Sequence, residues 1–379
     1  MKLAALVSTL TLATAGTPLI AGPAPCPVIT EFLGEYNSPG SANQVQVVGT
    51  TAYVVDWFPN ESLQIIDVTD PSDPLFLGSL SIATSPIGFA VDGTTVYLPG
   101  SAAGLRVIDA SDPSAPEQVG FFGALGAARD IVVRDGVGYL ALTSSLRTID
   151  VRNPSNPIQI GSTVRLDASV EFVAVVGGYA YTTDFIDGIM QIFDISDPTT
   201  IESVGTYSGF DFVTDIDAVG TMVYVTDMLG LHILDASDPA APTLVSFTPS
   251  GNAKGISVLG NTAYIAGGPG LVIYDVSDPS APDQIGSYTT AQPSRGISVL
   301  GDTAYLADDS FGLQIVGLTD DCSDCPADFT GDGTLDIFDV FAFLDAFNAS
   351  DPAADFTGDG EFDIFDIFDY LSAFNAGCP

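Results

Sequence analysis

Two acidic loops near the C-terminus hold the residues whose types and spacing best suit chemistry. Residues 328–339 read D-F-T-G-D-G-T-L-D-I-F-D, and residues 355–366, 27 positions on, read D-F-T-G-D-G-E-F-D-I-F-D. Oxygen donors at loop positions 1, 3, 5, 7, 9 and 12, with glycine at position 6 for a sharp turn, suit Ca²⁺, a hard cation that collects about six to eight oxygens. The first set is Asp328, Thr330, Asp332, Thr334 through its carbonyl, Asp336 and Asp339. The second is Asp355, Thr357, Asp359, Glu361 through its carbonyl, Asp363 and Asp366. Two calcium ions are therefore expected. Crowded carboxylates repel by several kcal/mol when no ion separates them, so the segment is expected to fold only with its metal. Each loop runs into an apolar helical stretch, 338–347 and 365–374. Ile337, Phe338, Ile364 and Phe365 stand at loop positions 10 and 11, where they serve either as a duplicated partner contact or as core.

A second set of candidates emerges from a repeat. Tyrosines recur at 53, 97, 139, 181, 224, 264 and 305, and ten residues before each stand Asn43, Ile87, Arg129, Glu171, Thr214, Lys254 and Arg295. Three of the chain's nine basic residues thus share one register, with Asp130 and Asp215 beside it and Asp56, Asp184, Asp227 and Asp308 three residues past their tyrosines. Cations gathered in one ring could hold a carboxylate or a sugar acid; equally, they could pair with these aspartates. Catalytic signals are sparse. No Ser/His/Asp set, nucleophile elbow, phosphate loop or zinc spacing is present, and the sole histidine, His232, reads as an exposed strand residue. Paired acids across such a ring would suit glycoside chemistry if about 5 to 9.5 Å apart.

The elements that position these rings are short strands. The tyrosine intervals of 40 to 44 residues match a blade of four short strands, the repeat of a β-propeller. In the sixth unit, strands are expected over 254–259, 262–266, 270–275 and 282–288, with Gly260-Asn261 as the first tight turn. An Asp-x-(Ser/Thr/Arg)-(Asp/Asn)-Pro turn closes six third strands, from Asp67 to Asp275, and a (Val/Ile/Leu)-Gly pair marks the fourth strands. One extra pair, Leu33-Gly34, precedes the first full unit, while the last unit stops after Leu318. The N-terminal strand is therefore expected to complete the seventh blade, which removes open sheet edges.

The G-L-x-I-x-D-x-S-D-P-x-x-P phrase, as at 270–282, and the G-x-x-A-Y strand resemble the LVIVD-repeat family of β-propellers over about 28–318. That resemblance implies an all-β seven-bladed propeller with binding rather than a defined activity. The boundaries expected are a signal peptide at 1–15, a short segment at 16–27, the propeller at 28–318, a linker at 319–324 and a calcium-loop module at 325–379. Ring closure places Cys26 near Cys322, and Cys325 and Cys378 bracket the module, so these two disulfides are expected among the three open connectivities. Asp320, Asp321 and Asp324 argue against a reactive Cys322-x-x-Cys325 pair, which needs cationic surroundings.

Net charge is −39, from 48 acidic residues against 9 basic ones. Such a surface repels polyanions, which excludes nucleic acid and anionic membrane surfaces as partners. Lys2, the apolar run 3–12 and Ala13-Thr14-Ala15 read as an export signal, and no other apolar run is long enough to span a membrane, so a secreted or surface-associated protein is expected.

The duplicated loop-then-helix segment 325–379 resembles a dockerin, and its bracketing cysteines with Gly377-Cys378-Pro379 resemble the GC-type dockerin-like modules of exported bacterial proteins. It departs from common dockerins at Thr330 and Thr357, where Asn or Asp is usual, and at Ile337-Phe338 and Ile364-Phe365, where many carry Ser-Thr. The resemblance implies a calcium-dependent tether to a cohesin-like or surface protein. The expected function is a noncatalytic binding platform with a ligand at the propeller mouth; the alternative is a carbohydrate-active enzyme displayed by the same module.

Overall fold

The computed structural model describes residues 27–82, 86–100, 104–123, 126–163, 169–268, 270–320, 327–330 and 335–376. The chain divides into two compact units, one of residues 27–321 and one of residues 1–26 with 322–379. The signal segment, Asp332, Thr334 and all four cysteines lie outside the described residues.

The first unit is a ring of seven four-stranded antiparallel sheets. Blade 1 runs Ser41–Val48, Thr51–Trp57, Ser62–Asp67 and Leu75–Ser81 from the inside outward. Blade 6 runs Ala253–Leu259, Thr262–Gly267, Gly270–Asp275 and Asp283–Thr289, each within a residue or so of the strands expected. Blade 7 takes its three inner strands from Gly296–Leu300, Thr303–Ala307 and Leu313–Asp320, and its outer strand is Val28–Tyr36. That outer strand pairs from Val28 opposite Asp320 to Tyr36 opposite Leu313, so the two ends of the unit close the ring as expected.

Hydrophobic burial lies between blades rather than within them. One core joins Phe172, Tyr181 and Ile192 of blade 4 to Val213, Val225 and Leu234 of blade 5. Another joins Ala42 and Val54 of blade 1 to Tyr305 and Ile315 of blade 7, which seals the closure. A single sheet leaves both faces in water, so each blade depends on its neighbours for a core.

The two sequence signatures meet at these interfaces. In the third-to-fourth strand turn, Asp67 accepts bonds from the Thr69 N–H at 2.8 Å and its hydroxyl at 2.6 Å, and Asp70 does the same for Ser72. These bonds hold both exposed carboxyls below the usual carboxylate range. The turn thrusts its proline carbonyl at the neighbouring blade, and a glycine meets it there. A Cβ on Gly120 would sit 1.9 Å from Pro154 O, and one on Gly205 1.9 Å from Pro239 O. A register shift just before the glycine, as at Ile192/Phe193 in blade 4, presses the strand outward to make the contact. Blade 5 carries Ser246 at the equivalent place, and its hydroxyl donates to Pro279 O at 2.6 Å instead.

The C-terminal unit contains helices α1 (Ile337–Ala349) and α2 (Ile364–Ala376). Phe343 and Tyr370, 27 residues apart, stack at 3.9 Å with planes 2° apart. Phe329 and Phe356, also 27 apart, both meet Tyr370 edge-on. The duplication thus forms a pseudo-symmetric aromatic core of like residues.

Replacing Gly205 by Ala is expected to destabilise the ring by about 1–3 kcal/mol through overpacking against a backbone carbonyl. Ser246→Ala is expected to cost only about 1 kcal/mol, one hydrogen bond. Thermal melts of the two variants check the order, and equal losses would show that the proline contact does not constrain the blades.

Candidate functional site

First strands begin at the ring's mouth, and their opening residues converge there. All seven residues of the shared register line one cavity of about 380 Å³: the bases Arg129, Lys254 and Arg295, together with Asn43, Ile87, Glu171 and Thr214. The end of the second strand of blade 1 adds Trp57, and the loop after that of blade 4 adds Phe185 with Ile186. These three were not foreseen from the sequence. A signal was available, because each follows the recurrent aspartate that ends the second strand, Asp56 or Asp184.

The bases are not equivalent. Arg129 Nε lies 3.2 Å from Glu171 Oε2, at ion-pair distance but without a well-directed hydrogen bond. Burial pushes the Glu171 carboxyl up, opposed by Arg129 and by the Ser169 hydroxyl. Arg295 donates to Asp309 Oδ2 from Nη2 at 3.1 Å and from Nε at 3.3 Å, and its guanidinium lies 5.7 Å from the Trp57 ring centre. The Trp57 indole N–H is fixed by Pro86 O at 2.8 Å. Among the described residues Lys254 has no ion pair, and burial and then the neighbouring Arg295 lower its pKa.

The aspartates expected beside these cations lie elsewhere. Asp130 and Asp215 line the channel beneath the mouth, a space of about 320 Å³ that shares Gln44, Ile87 and Phe172 with the cavity above. Each bridges two blades. Asp130 accepts from Ile131 N at 2.8 Å and from Val173 N of blade 4 at 3.0 Å; Asp215 accepts from Ile216 N at 2.9 Å and from Ile256 N of blade 6 at 3.0 Å. Asp217 repeats this with Val258 N at 2.8 Å, and Gln46 and Ser298 do so as neutral groups. Burial raises Asp130 to about 6 and Asp215 to about 8, the latter also through the charges of Asp130 and Asp217.

Asp56, Asp184, Asp227 and Asp308 are buried and absent from the cavity lining. They hold loops: Asp184 Oδ1 accepts from the N–H groups of Ile186 and Asp187, and Asp227 Oδ1 from those of Leu229 and Gly230. His232, expected on an exposed face, is only 7% exposed. Its Nε2 lies 2.7 Å from Asp227 Oδ2, and Phe210 and Phe247 pack against the ring, so the imidazole finishes a polar pair inside blade 5.

In the C-terminal unit the loop carboxylates organise backbone. Asp336 caps α1 by accepting from Phe338 N at 2.7 Å, and Asp339 answers from the Asp336 N–H at 2.8 Å, a reciprocal cap. Asp363 and Asp366 repeat it on α2. Thr330 and Thr357, at loop position 3, each donate through both N–H and hydroxyl to the position-12 carboxylate, Asp339 or Asp366. Asp355 gathers the N–H groups of Gly358, Asp359 and Gly360, while Asp359 accepts from the Glu361 N–H. Asp328 accepts from the Thr330 hydroxyl at 3.3 Å. Gly360, at position 6, has φ +82°, the sharp turn expected there. The donor set is all oxygen and suits a hard cation by type. Among the described residues, however, no three acidic, histidine or cysteine side chains converge as metal ligands. Ile337, Phe338, Ile364 and Phe365 are 55–63% exposed, as are Phe341 and Phe368 one turn on, at 56% and 58%. They are not core.

Ring, channel and mouth define a seven-bladed β-propeller. The LVIVD repeat matches residues 39–81, 89–122, 125–164, 168–208, 213–247, 250–290 and 293–324, more than half of the sequence, and the chain belongs to that family. No curated protein matches it. The crystal structure of the β-propeller domain of Myceliophteria thermophila Cps50 (Swd1) is similar, with TM-score 0.62 and 10% identity over 77% of this chain and 100% of that one. That of the computationally designed Ika8 protein has TM-score 0.56 and 8% identity over 76% and 98%. Both likenesses concern the fold alone. No helix among the described residues is long and apolar enough to cross a membrane.

A carboxyl whose pKa is raised on folding contributes stability that is full below its unfolded value and lost as pH rises through its folded one. For Asp215 that window runs from about 3.8 to about 8. The melting temperature is expected to fall across it, and Asp215→Asn is expected to flatten the fall relative to wild type. Parallel pH profiles for the two proteins would contradict the burial of an ionisable Asp215.

Proposed function

We propose that this chain is an exported, noncatalytic binding platform in which the propeller mouth takes a ligand and the C-terminal unit is a calcium-dependent, dockerin-like tether to a cohesin-like or cell-surface protein. The observation that carries the tether is the pair of exposed apolar clusters, Ile337-Phe338-Phe341 and Ile364-Phe365-Phe368, repeated 27 residues apart at the starts of two like helices. Contiguous exposed apolar side chains on so small a unit mark an interaction surface. Their duplication offers a partner two equivalent ways to dock.

Support for calcium comes from the two twelve-residue loops, their all-oxygen donors and the left-handed Gly360. Asp328, Thr330, Asp332, Thr334, Asp336 and Asp339 would hold one ion; Asp355, Thr357, Asp359, Glu361, Asp363 and Asp366 would hold the other. Bound calcium would supply the positive charge that lets these acidic loops close. The caps formed by Asp336 with Asp339 and by Asp363 with Asp366 then link each loop to the orientation of the helix that carries the apolar cluster.

A platform is favoured over a displayed glycoside hydrolase by the carboxylates' engagements. Asp130 and Asp215 hold backbone N–H groups between blades, and Glu171 faces Arg129. The sequence of residues 1–15, which reads as an export signal, supports export and a secreted or surface location.

The test is capture of secreted and envelope proteins on the immobilised full chain, in Ca²⁺ and then in chelator. A partner released by chelator, and lost when Asp328 and Asp355 are both changed to Ala, is the expected outcome. Capture that survives either treatment would overturn the calcium-dependent tether.

A further inference from the structure

One base of the mouth cavity has no ion-pair partner among the described residues. Arg129 faces Glu171 and Arg295 is held by Asp309, so of the three bases lining the cavity Lys254 is the one without an ion pair to any described residue. Its ammonium is half-buried and stands near a second cation, Arg295, and both effects disfavour its charge. A chain of net charge −39 has acidic groups in abundance, yet among the described residues none pairs with this lysine. An anion entering the cavity would supply the missing partner.

The rest of the lining specifies the body of such an anion. Trp57 of blade 1 presents its apolar ring to the cavity, held in place by its bond to Pro86 O, while Phe185 and Ile186 line the cavity from blade 4, three blades away. Arg295 lies against that ring, so the cationic and aromatic sides of the cavity adjoin. A volume of about 380 Å³ is at the small-molecule end of binding sites. We propose that the propeller mouth binds a small organic carboxylate, its carboxylate on Lys254 beside Arg295 and its planar apolar body against Trp57. This names the ligand class of the platform proposed above, but it rests on the propeller alone.

Trp57 is the only tryptophan of the chain, which makes the site its own reporter. Titration of the full chain with phenylacetate, with its uncharged analogue phenylacetamide and with glucuronate, followed by tryptophan fluorescence, tests the assignment. Phenylacetate is expected to change the signal saturably, and phenylacetamide and glucuronate to bind at least about tenfold more weakly. Lys254→Met should weaken phenylacetate by a similar factor, whereas Lys254→Arg should keep it within a few fold. Affinity should also fall as pH rises into the titration range of Lys254, below that of an ordinary lysine. No saturable response to phenylacetate, an equal response to the amide, or tighter binding of glucuronate would overturn the proposal. Should Lys254→Met fail to fold, the comparison of acid with amide on the wild-type protein decides it. Calcium and chelator arms separate this result from the tether: a mouth that binds equally in both stands whether or not the module captures a partner.

Discussion

The ring depends on a close approach of backbone to backbone between blades. Where the proline carbonyl of a third-to-fourth strand turn meets the outer strand of the preceding blade, a glycine receives it at five interfaces, and the cost of a Cβ there would fall on two sheets at once; at blade 5 Ser246 meets Pro279 O with its hydroxyl. Gly78 meets Pro113 O and Gly161 meets Pro198 O in the same manner. Gly34 meets Pro71 O, so the N-terminal strand docks on blade 1 by the same contact as the outer strands of blades 1 to 4, while on its other side Gly286 of blade 6 meets its Val28 O. Repetition of one contact sets a constant rotation between blades. The large buried residues then fill the wedges that this rotation leaves, as Tyr53, Leu63 and Ile65 of blade 1 do against Val96, Leu98 and Ile108 of blade 2.

At the inner end the problem reverses, because the strands converge and their N–H groups face each other across narrow gaps. An unpaired buried N–H costs about 1–3 kcal/mol, so each gap calls for an acceptor. Gln46 and Ser298 supply it as neutral groups; Asp130, Asp215 and Asp217 supply it as acids. The acidic solution gives two bonds per carboxylate but places three ionisable groups along one channel. Burial, and for Asp215 the charge of its two neighbours, then raises their pKa values against the pull of those bonds. The ring therefore contains groups that are better accommodated when protonated.

Much of this was legible because it is periodic. The tyrosine spacing gave seven blades, the displaced Leu33-Gly34 gave the closure, and a fixed offset from each tyrosine gave a ring of seven residues that does meet in one cavity. What periodicity does not carry is the direction in which a polar side chain finds its partner. Asp130 and Asp215 adjoin the mouth in sequence, yet their partners are N–H groups of the next blade, more than forty residues away. His232 occupies a position that is Gln or Arg in several blades; here Phe210 and Phe247 cover it and Asp227 accepts from it. The C-terminal loops show a different ambiguity. Asp at position 9 and Asp at position 12 is a metal-ligand spacing and also the spacing of a capping box, and the same two carboxylates perform the second role on both helices.

The mouth ring holds one base, Lys254, that no ion pair engages among the described residues. One residue further along the first strands, Asp130 and Asp215 are committed to the neighbouring blade, and Gly88 makes room for Asp130. At the mouth itself, Ile87, Arg129, Thr214 and Lys254 vary in type from blade to blade, which a purely structural position would not require. Electrostatics makes the placement of the bases more pointed. Beyond the rim the acidic surface repels anions, but at physiological salt that field decays over about 8 Å, whereas a carboxylate in contact with Lys254 is little screened. The long-range field thus works against anion capture and the short-range one for it. A site so arranged discriminates by contact rather than by steering, and it excludes polyanions while admitting a single small anion that fits between the lysine and the tryptophan.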